Sequence, residues 1–199
     1  MDFKFSKDQF FHIEIPDIFY SDANKNMFTH CINCNKYLLE DGVQYLIEKA
    51  IKRYHKFDSV DTIFEYAICM DCYEEMRKSF SEISLQRIEN YFNKNVDWVE
   101  RRMNLLHQQE PRLKDWLSNC LVKNTPKDEL SEYQIACHCD GKDMLFSFLP
   151  YLISSDAMDE IANLLSNKTI DAINGFRDRF FKYPPEWQDI LSCRPVMLL

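Results

Sequence analysis

The residues best suited to chemistry are four cysteines arranged as two Cys-x-x-Cys pairs, Cys31 with Cys34 and Cys69 with Cys72. Each short pair aims two sulfur atoms at a common point, so two pairs can surround one metal ion tetrahedrally. Four thiolates leave no open coordination position. The pattern therefore predicts one structural Zn²⁺ held by these four residues.

Three other uses of these cysteines can be weighed from the sequence. Thioredoxin-type redox chemistry needs a single pair, so the second pair has no part in it. Iron accepts four thiolates, but Asn35 and Tyr73 follow the two pairs where iron-binding knuckles usually carry glycine. Disulfides belong to an oxidising compartment, and the N-terminal sequence has no export pattern. Structural zinc is the favoured interpretation.

The sequence around the cysteines has a definite order. An apolar run, Ile63–Ile68, leads into the second pair, and Tyr73, Met76 and Phe80 then recur at helical spacing. This order of knuckle, hairpin, second pair and helix resembles the treble-clef class of zinc fingers over residues 29–92. The resemblance implies a fold and a bound metal, and it implies no activity.

Residues 43–54 carry two conflicting patterns. Their apolar residues recur at helical spacing, and Asp41 with Gln44 matches a helix capping box. The treble-clef resemblance instead requires a strand from Tyr45 to about Lys52, paired with Thr62–Ile68. Because metal ligation can override local propensity, we expect the strand and keep the helix as the alternative.

Composition limits the classes of partner. The net charge of −8 disfavours binding to phosphate backbones. One basic cluster, which we call the 49–56 cluster, provides a possible nucleic-acid contact through Lys49, Lys52, Arg53 and Lys56. No apolar run approaches the roughly 20 residues of a membrane span. We therefore expect a cytoplasmic protein that does not enter the membrane.

The sequence predicts an α+β fold with three segments. Residues 1–24 form an arm packed on the body, and residues 25–95 form the four-cysteine zinc-binding module of knuckle, β-hairpin and helix. Residues 96–199 form a mainly helical domain with one inserted β-hairpin at 133–149 and a helical hairpin at 155–182. The hairpin prediction comes from alternating residues around Asp140-Gly141.

Four residues of this hairpin region could suggest further chemistry. Pairing Cys139 with Lys142 places His138 across from Asp143, which we interpret as an exposed cross-strand pair rather than a catalytic dyad. Cys137 and Cys139 are expected to be buried and to bind no metal, and Cys120 to be a core thiol. A second metal site could be sought among Cys120, Cys137, Cys139 and His138. Strand alternation opposes it, because it directs His138 away from Cys137 and Cys139.

No enzyme motif appears in the sequence: it contains no phosphate-binding glycine loop, Gly-x-Ser-x-Gly or His-Glu-x-x-His. The favoured function is a non-catalytic zinc protein that contacts other proteins, such as an adaptor module. The alternative is a nucleic-acid-associated factor that uses the 49–56 cluster. These hypotheses differ in salt dependence, because a phosphate contact weakens steeply as salt rises.

Overall fold

The computed structural model describes residues 10–107 and 111–181. Within this part the chain forms six strands and six helices, with short 3-10 turns at Asp17–Phe19 and Lys127–Glu129. The strands are β1 (Phe11–Glu14), β2 (Gln44–Tyr54), β3 (Ser59–Cys69), β4 (Glu132–Asp140), β5 (Asp143–Phe146) and β6 (Tyr151–Ser154). The helices are α1 (Met70–Ser79), α2 (Glu82–Asn95), α3 (Trp98–His107), α4 (Leu113–Trp116), α5 (Ser155–Ala162) and α6 (Asn167–Phe180).

All six strands belong to one antiparallel sheet in the order β1-β5-β4-β2-β3. β5 pairs with the end of β4 at residues 138–140, and β6 pairs with β4 at residues 133–136. The central contact joins β2 to β4 from Gln44↔Asp140 to Lys52↔Glu132. The predicted mainly helical body with an inserted hairpin is therefore wrong. Its strands complete a sheet with the β2–β3 hairpin, and β4 is buried on both faces as expected for a central strand.

Both faces of the sheet are covered. On one face Tyr66 lies 5.5 Å from the ring of Phe176 in α6, measured between ring centroids. On the other face Phe146 lies 5.4 Å from Trp116 of α4. Buried apolar residues from all six strands or their flanking segments form one continuous core. The division into residues 1–24, 25–95 and 96–199 stays a prediction, and the sheet takes strands from all three segments.

The β4–β5 turn differs in register from the prediction. Asp140 pairs with Asp143, so Gly141-Lys142 is the two-residue turn and His138 lies across from Leu145. The Asp140 carboxylate accepts a 2.6 Å hydrogen bond from the Gly42 amide, which keeps Asp140 within the sheet beside β2. The predicted His138–Asp143 pair is therefore wrong.

Several local predictions are confirmed. Residues 44–54 form a strand rather than the alternative helix, and this strand pairs with β3. The predicted helical hairpin corresponds to α5 and α6, with residue 182 outside the described part. The arm contributes β1 to the sheet edge, while its residues 1–9 also lie outside that part.

A cluster of hydroxyl groups joins the N-termini of α2 and α6. The amide of Ser81 donates to Thr169 Oγ1 at 3.0 Å, and the amide of Ser166 donates to Ser84 Oγ at 2.8 Å. Ser84 and Thr169 are fully buried. This reciprocal capping satisfies backbone donors of both helices and holds α6 against the helices that follow the cysteine site.

No helix in the two described ranges combines the length and the apolar character needed to cross a membrane.

Candidate metal centre

The first cysteine pair lies on a small folded-back loop between β1 and β2. The amide of Cys31 donates to the Lys36 carbonyl at 2.9 Å, and the amide of Asn35 donates to the Cys31 carbonyl at 3.0 Å. Asn35 has a φ of 60°, a left-handed conformation that asparagine tolerates better than most residues. The knuckle can therefore close without the glycine that iron-binding loops commonly use.

The second pair lies where β3 becomes α1. Cys69 ends the strand in an extended conformation, and Cys72 lies in the first turn of the helix. The amide of Ile32 donates to the Ala67 carbonyl at 2.9 Å and fastens the knuckle to the edge of β3. The ion pair between Lys36 and Asp71, 3.1 Å apart, adds a second contact. Both pairs are thus positioned by backbone hydrogen bonding.

The sulfur atoms of Cys31, Cys34, Cys69 and Cys72 all lie within 4.8 Å of one another. Zn–S bonds of about 2.3 Å in a tetrahedron place neighbouring sulfurs about 3.8 Å apart. The sulfurs of Cys34 and Cys69 are 3.7 Å apart. Four soft thiolate donors at this spacing fit Zn²⁺, and all four are free cysteines.

Hydrogen-bond donors surround the sulfur atoms. Asn33 Nδ2 donates to Cys72 Sγ at 3.2 Å, and the Cys69 amide donates to Cys31 Sγ at 3.4 Å. Burial raises the pKa of Cys31, but backbone donors from Cys34, Cys69 and Asn33 outweigh it and bring this pKa below its usual value. The N-terminus of α1 also favours negative charge here. Burial instead raises the pKa of Cys69 and Cys72, so hydrogen bonding favours the thiolate at Cys31 while a bound cation would favour it at the other two.

The 49–56 cluster is largely neutralised by carboxylates. Lys49 is buried, and its Nζ lies 3.1 Å from Asp22 and 3.3 Å from Glu65. Lys52 lies 3.2 Å from Glu132. Arg53 contacts Asp128 at 2.7 Å and Asp58 at 3.8 Å, while Lys56 is exposed. The structure does not present these four cations as a basic surface.

The remaining described cysteines lie in the core. Cys120, Cys137 and Cys139 are buried, as predicted, and the sulfurs of Cys137 and Cys139 are 3.6 Å apart on one face of β4. The Cys120 sulfur accepts hydrogen bonds from the amide and hydroxyl of Ser154. Within the described ranges the only group of three or more candidate metal ligands is the one formed by Cys31 and its three partners.

His138 lies on the opposite face of β4 from those thiols and is buried. Its Nε2 has no hydrogen-bond partner in the part of the chain that the structure describes. Burial lowers the pKa of His138 to about 4, although the Asp140 charge opposes this shift. A buried imidazole whose pKa is lowered in this way stays neutral near pH 7, as is common for a histidine in a protein core.

This burial predicts a pH-dependent loss of stability. The unfolded chain binds a proton at His138 below about pH 6.5 and the folded chain only below about pH 4, so stability is complete above pH 6.5 and falls between these values. The shift corresponds to about 3 kcal/mol. We expect the difference in unfolding free energy between wild type and His138→Leu to change by that amount between pH 7 and pH 4. A difference independent of pH would contradict the prediction.

Sequence reasoning missed two parts of this region. The Asn33 side chain bonds Cys72, although an asparagine inside a knuckle gives no pattern of its own. The second is a cleft between α1 and α6 that reaches Cys72 and Asn33. Gly175 could have indicated it, since a glycine within a helical pattern calls for a reason.

Comparison with known proteins leaves the structure as the basis for assigning a function. No protein-family model, no curated protein and no solved structure matches this chain.

Proposed function

We propose that the chain binds one structural Zn²⁺ through Cys31, Cys34, Cys69 and Cys72, and that it acts without catalysis as a protein-interaction module. The observation that carries the metal assignment is the group of four sulfurs within 4.8 Å of one another. A closed site of four protein ligands leaves no position for a substrate or an activated water.

The architecture around the site supports a treble-clef-type module. A knuckle, the β2–β3 hairpin and α1 follow one another, and ligands come from the knuckle and the start of the helix. In such a module the metal ties together three elements that share little apolar area. The proposed role of zinc is therefore to hold α1 and the knuckle on the edge of the sheet.

The interaction role is supported by apolar side chains that the fold leaves exposed. At the tip of the β2–β3 hairpin, Phe57 is 78% and Val60 is 60% exposed. Exposed aromatic and aliphatic groups are common at protein contacts. The nucleic-acid alternative has weaker support, because carboxylates pair with Lys49, Lys52 and Arg53.

Elemental analysis of the purified protein tests the metal assignment. We expect one zinc per chain, and Co²⁺ substitution should give the charge-transfer absorption of a tetrahedral thiolate site. Cys34→Ser removes an exposed ligand and should lower zinc retention under a competing chelator. Cys120→Ser, which changes a cysteine outside the site, should retain one zinc. Iron as the bound metal, or equal retention by both variants, would contradict the proposal.

A further inference from the structure

A surface cleft lies between α1 and α6, directly beside the cysteine site. Its volume is about 240 Å³, and Cys72 forms part of its wall. Apolar side chains line it, among them Ile68, Met76, Phe176 and Phe180. This volume is below the roughly 300–1,000 Å³ of typical small-molecule pockets. It is better matched to one inserted side chain than to a cofactor.

Gly175 in the cleft wall has no evident structural reason. The chain contains three glycines, and the other two, Gly42 and Gly141, occupy positive φ angles of 80° and 57°. Gly175 instead lies within α6, where glycine costs about 1 kcal/mol relative to alanine. A Cβ added there would meet no described heavy atom within 4 Å. The glycine keeps open a space that the packing of the described chain does not require.

The two charged residues that line the cleft, Glu75 and Arg179, differ in their ion pairing. Glu75 is paired with Lys78 at 2.6 Å. Arg179 is exposed, and its guanidinium lies 4.9 Å from the centroid of the Phe180 ring. Among residues 10–107 and 111–181 no carboxylate lies within ion-pair distance of Arg179. Within the described part of the chain, the cleft therefore combines an apolar floor with a cation, Arg179, that has no carboxylate partner.

We propose that this cleft binds an acidic, apolar segment of a partner protein. One apolar side chain lies over Gly175, between Met76 and Phe176, and an adjacent carboxylate pairs with Arg179. The inference rests on the proposed function, since it assigns to the protein-interaction role a site distinct from the exposed hairpin tip at Phe57 and Val60. Cys72 belongs both to the metal site and to the cleft wall, so zinc binding fixes the α1 side of the cleft.

Titration of the zinc-loaded full chain followed by amide NMR tests this directly. The probe is the peptide acetyl-Asp-Glu-Phe-Leu-Glu-Asp-amide, with one counterpart carrying serine at both apolar positions and another carrying lysine at all acidic ones. We expect shifts at Cys72, Met76 and Gly175–Phe180 with the first peptide, and much smaller shifts with the other two. An absence of shifts at millimolar peptide would overturn the proposal, as would equal binding of the lysine peptide.

Two substitutions in α6 distinguish a contact at Arg179 from general electrostatic attraction. Arg179→Gln should weaken binding of the acidic peptide about two- to fivefold, as for an exposed ion pair. Lys168→Gln, the same charge change at the other end of α6, should leave binding unchanged. Equal effects of these two changes would argue against a contact at Arg179 and for general electrostatic attraction.

Substitution of Gly175 tests the cleft independently of Arg179. Gly175→Ala should raise the unfolding midpoint, and Gly175→Leu should abolish peptide binding while the protein stays folded. Unfolding by Gly175→Leu alone would show that the chain's own residues fill the space, and would overturn the partner assignment. Zinc content is measured on every sample: loss of zinc refutes the metal assignment, whereas bound zinc without peptide binding refutes only the cleft.

Discussion

Cys69→Ser is expected to destabilise the whole sheet as well as the knuckle. Cys69 ends β3, directly precedes α1 and pairs with Tyr45 of β2. Structural zinc supplies on the order of 10 kcal/mol of apparent folding free energy in small modules. Domains of this size are stable by only about 5–15 kcal/mol. A weakened site therefore removes a large part of the total.

Amide hydrogen exchange measures how far this loss extends. From the sequence, loosening would be confined to residues 29–92 and would spare the later helices. The pairing of β2 with β4 changes that expectation, because β4 then loses one of its two edges. We expect β2, β3 and β4 to lose protection together in Cys69→Ser or in chelated protein.

The control is Cys120→Ser, a buried cysteine outside the metal site. It should lower stability while keeping zinc and the order of protection among the strands. Native protection across Cys31–Cys72 after complete metal removal would refute a structural role for zinc. Loss of protection restricted to the knuckle would refute the coupling through β2 and β4.

The parts of the fold predictable from sequence are those set by short-range chemistry. The spacing within each Cys-x-x-Cys pair directs its two sulfurs together. The fold then has only to bring the two pairs close to each other, which it does with all four sulfurs within 4.8 Å. Helical spacing after Cys72 identified α1. Each of these features depends on residues a few positions apart.

The sheet depends on contacts between distant residues. Alternation around Asp140-Gly141 correctly indicated a turn that joins β4 to β5. That turn does not specify which strand pairs with the other edge of β4, where the structure places β2. The pairing of Ile47 with Cys137 joins residues far apart in the chain. No local pattern indicated this, because Gln134 and His138 give one face of β4 a polar pattern that the structure nevertheless buries. Burial on both faces is typical of a central strand.

Lys49 illustrates the same limit for a charged residue. In the sequence it belongs to a basic cluster, and basic clusters usually lie in solvent. In the structure it is 2% exposed, and its Nζ donates to the Tyr20 carbonyl at 2.7 Å. Its carboxylate partners Asp22 and Glu65 come from other segments. Nothing local to Lys49 distinguishes it from Lys52.

Lys49→Met is expected to lower the unfolding free energy by about 3–5 kcal/mol, the usual cost of leaving a buried charge without its partner. The residue left behind is Glu65, whose carboxylate also accepts bonds from the Ser21 hydroxyl at 2.7 Å and the Asp22 amide at 2.8 Å. Without the lysine, this carboxylate loses its cation while remaining mostly buried. Residues 21–23, which donate hydrogen bonds to the Glu65 carboxylate of β3, should therefore loosen.

Lys52→Met is the matched control, since it makes the same change in the same strand. The Lys52 side chain is 37% exposed, against 3% for Lys49, and it forms one ion pair with Glu132, so its loss should cost less than the loss of Lys49. Urea unfolding of the zinc-loaded proteins should show a lower midpoint for Lys49→Met at an unchanged slope. Similar midpoints for the two variants would mean that the Lys49 cluster contributes no more than a surface ion pair. Because the substitution removes a cation from the 49–56 cluster in each case, a nucleic-acid role would instead predict salt-dependent binding losses in both.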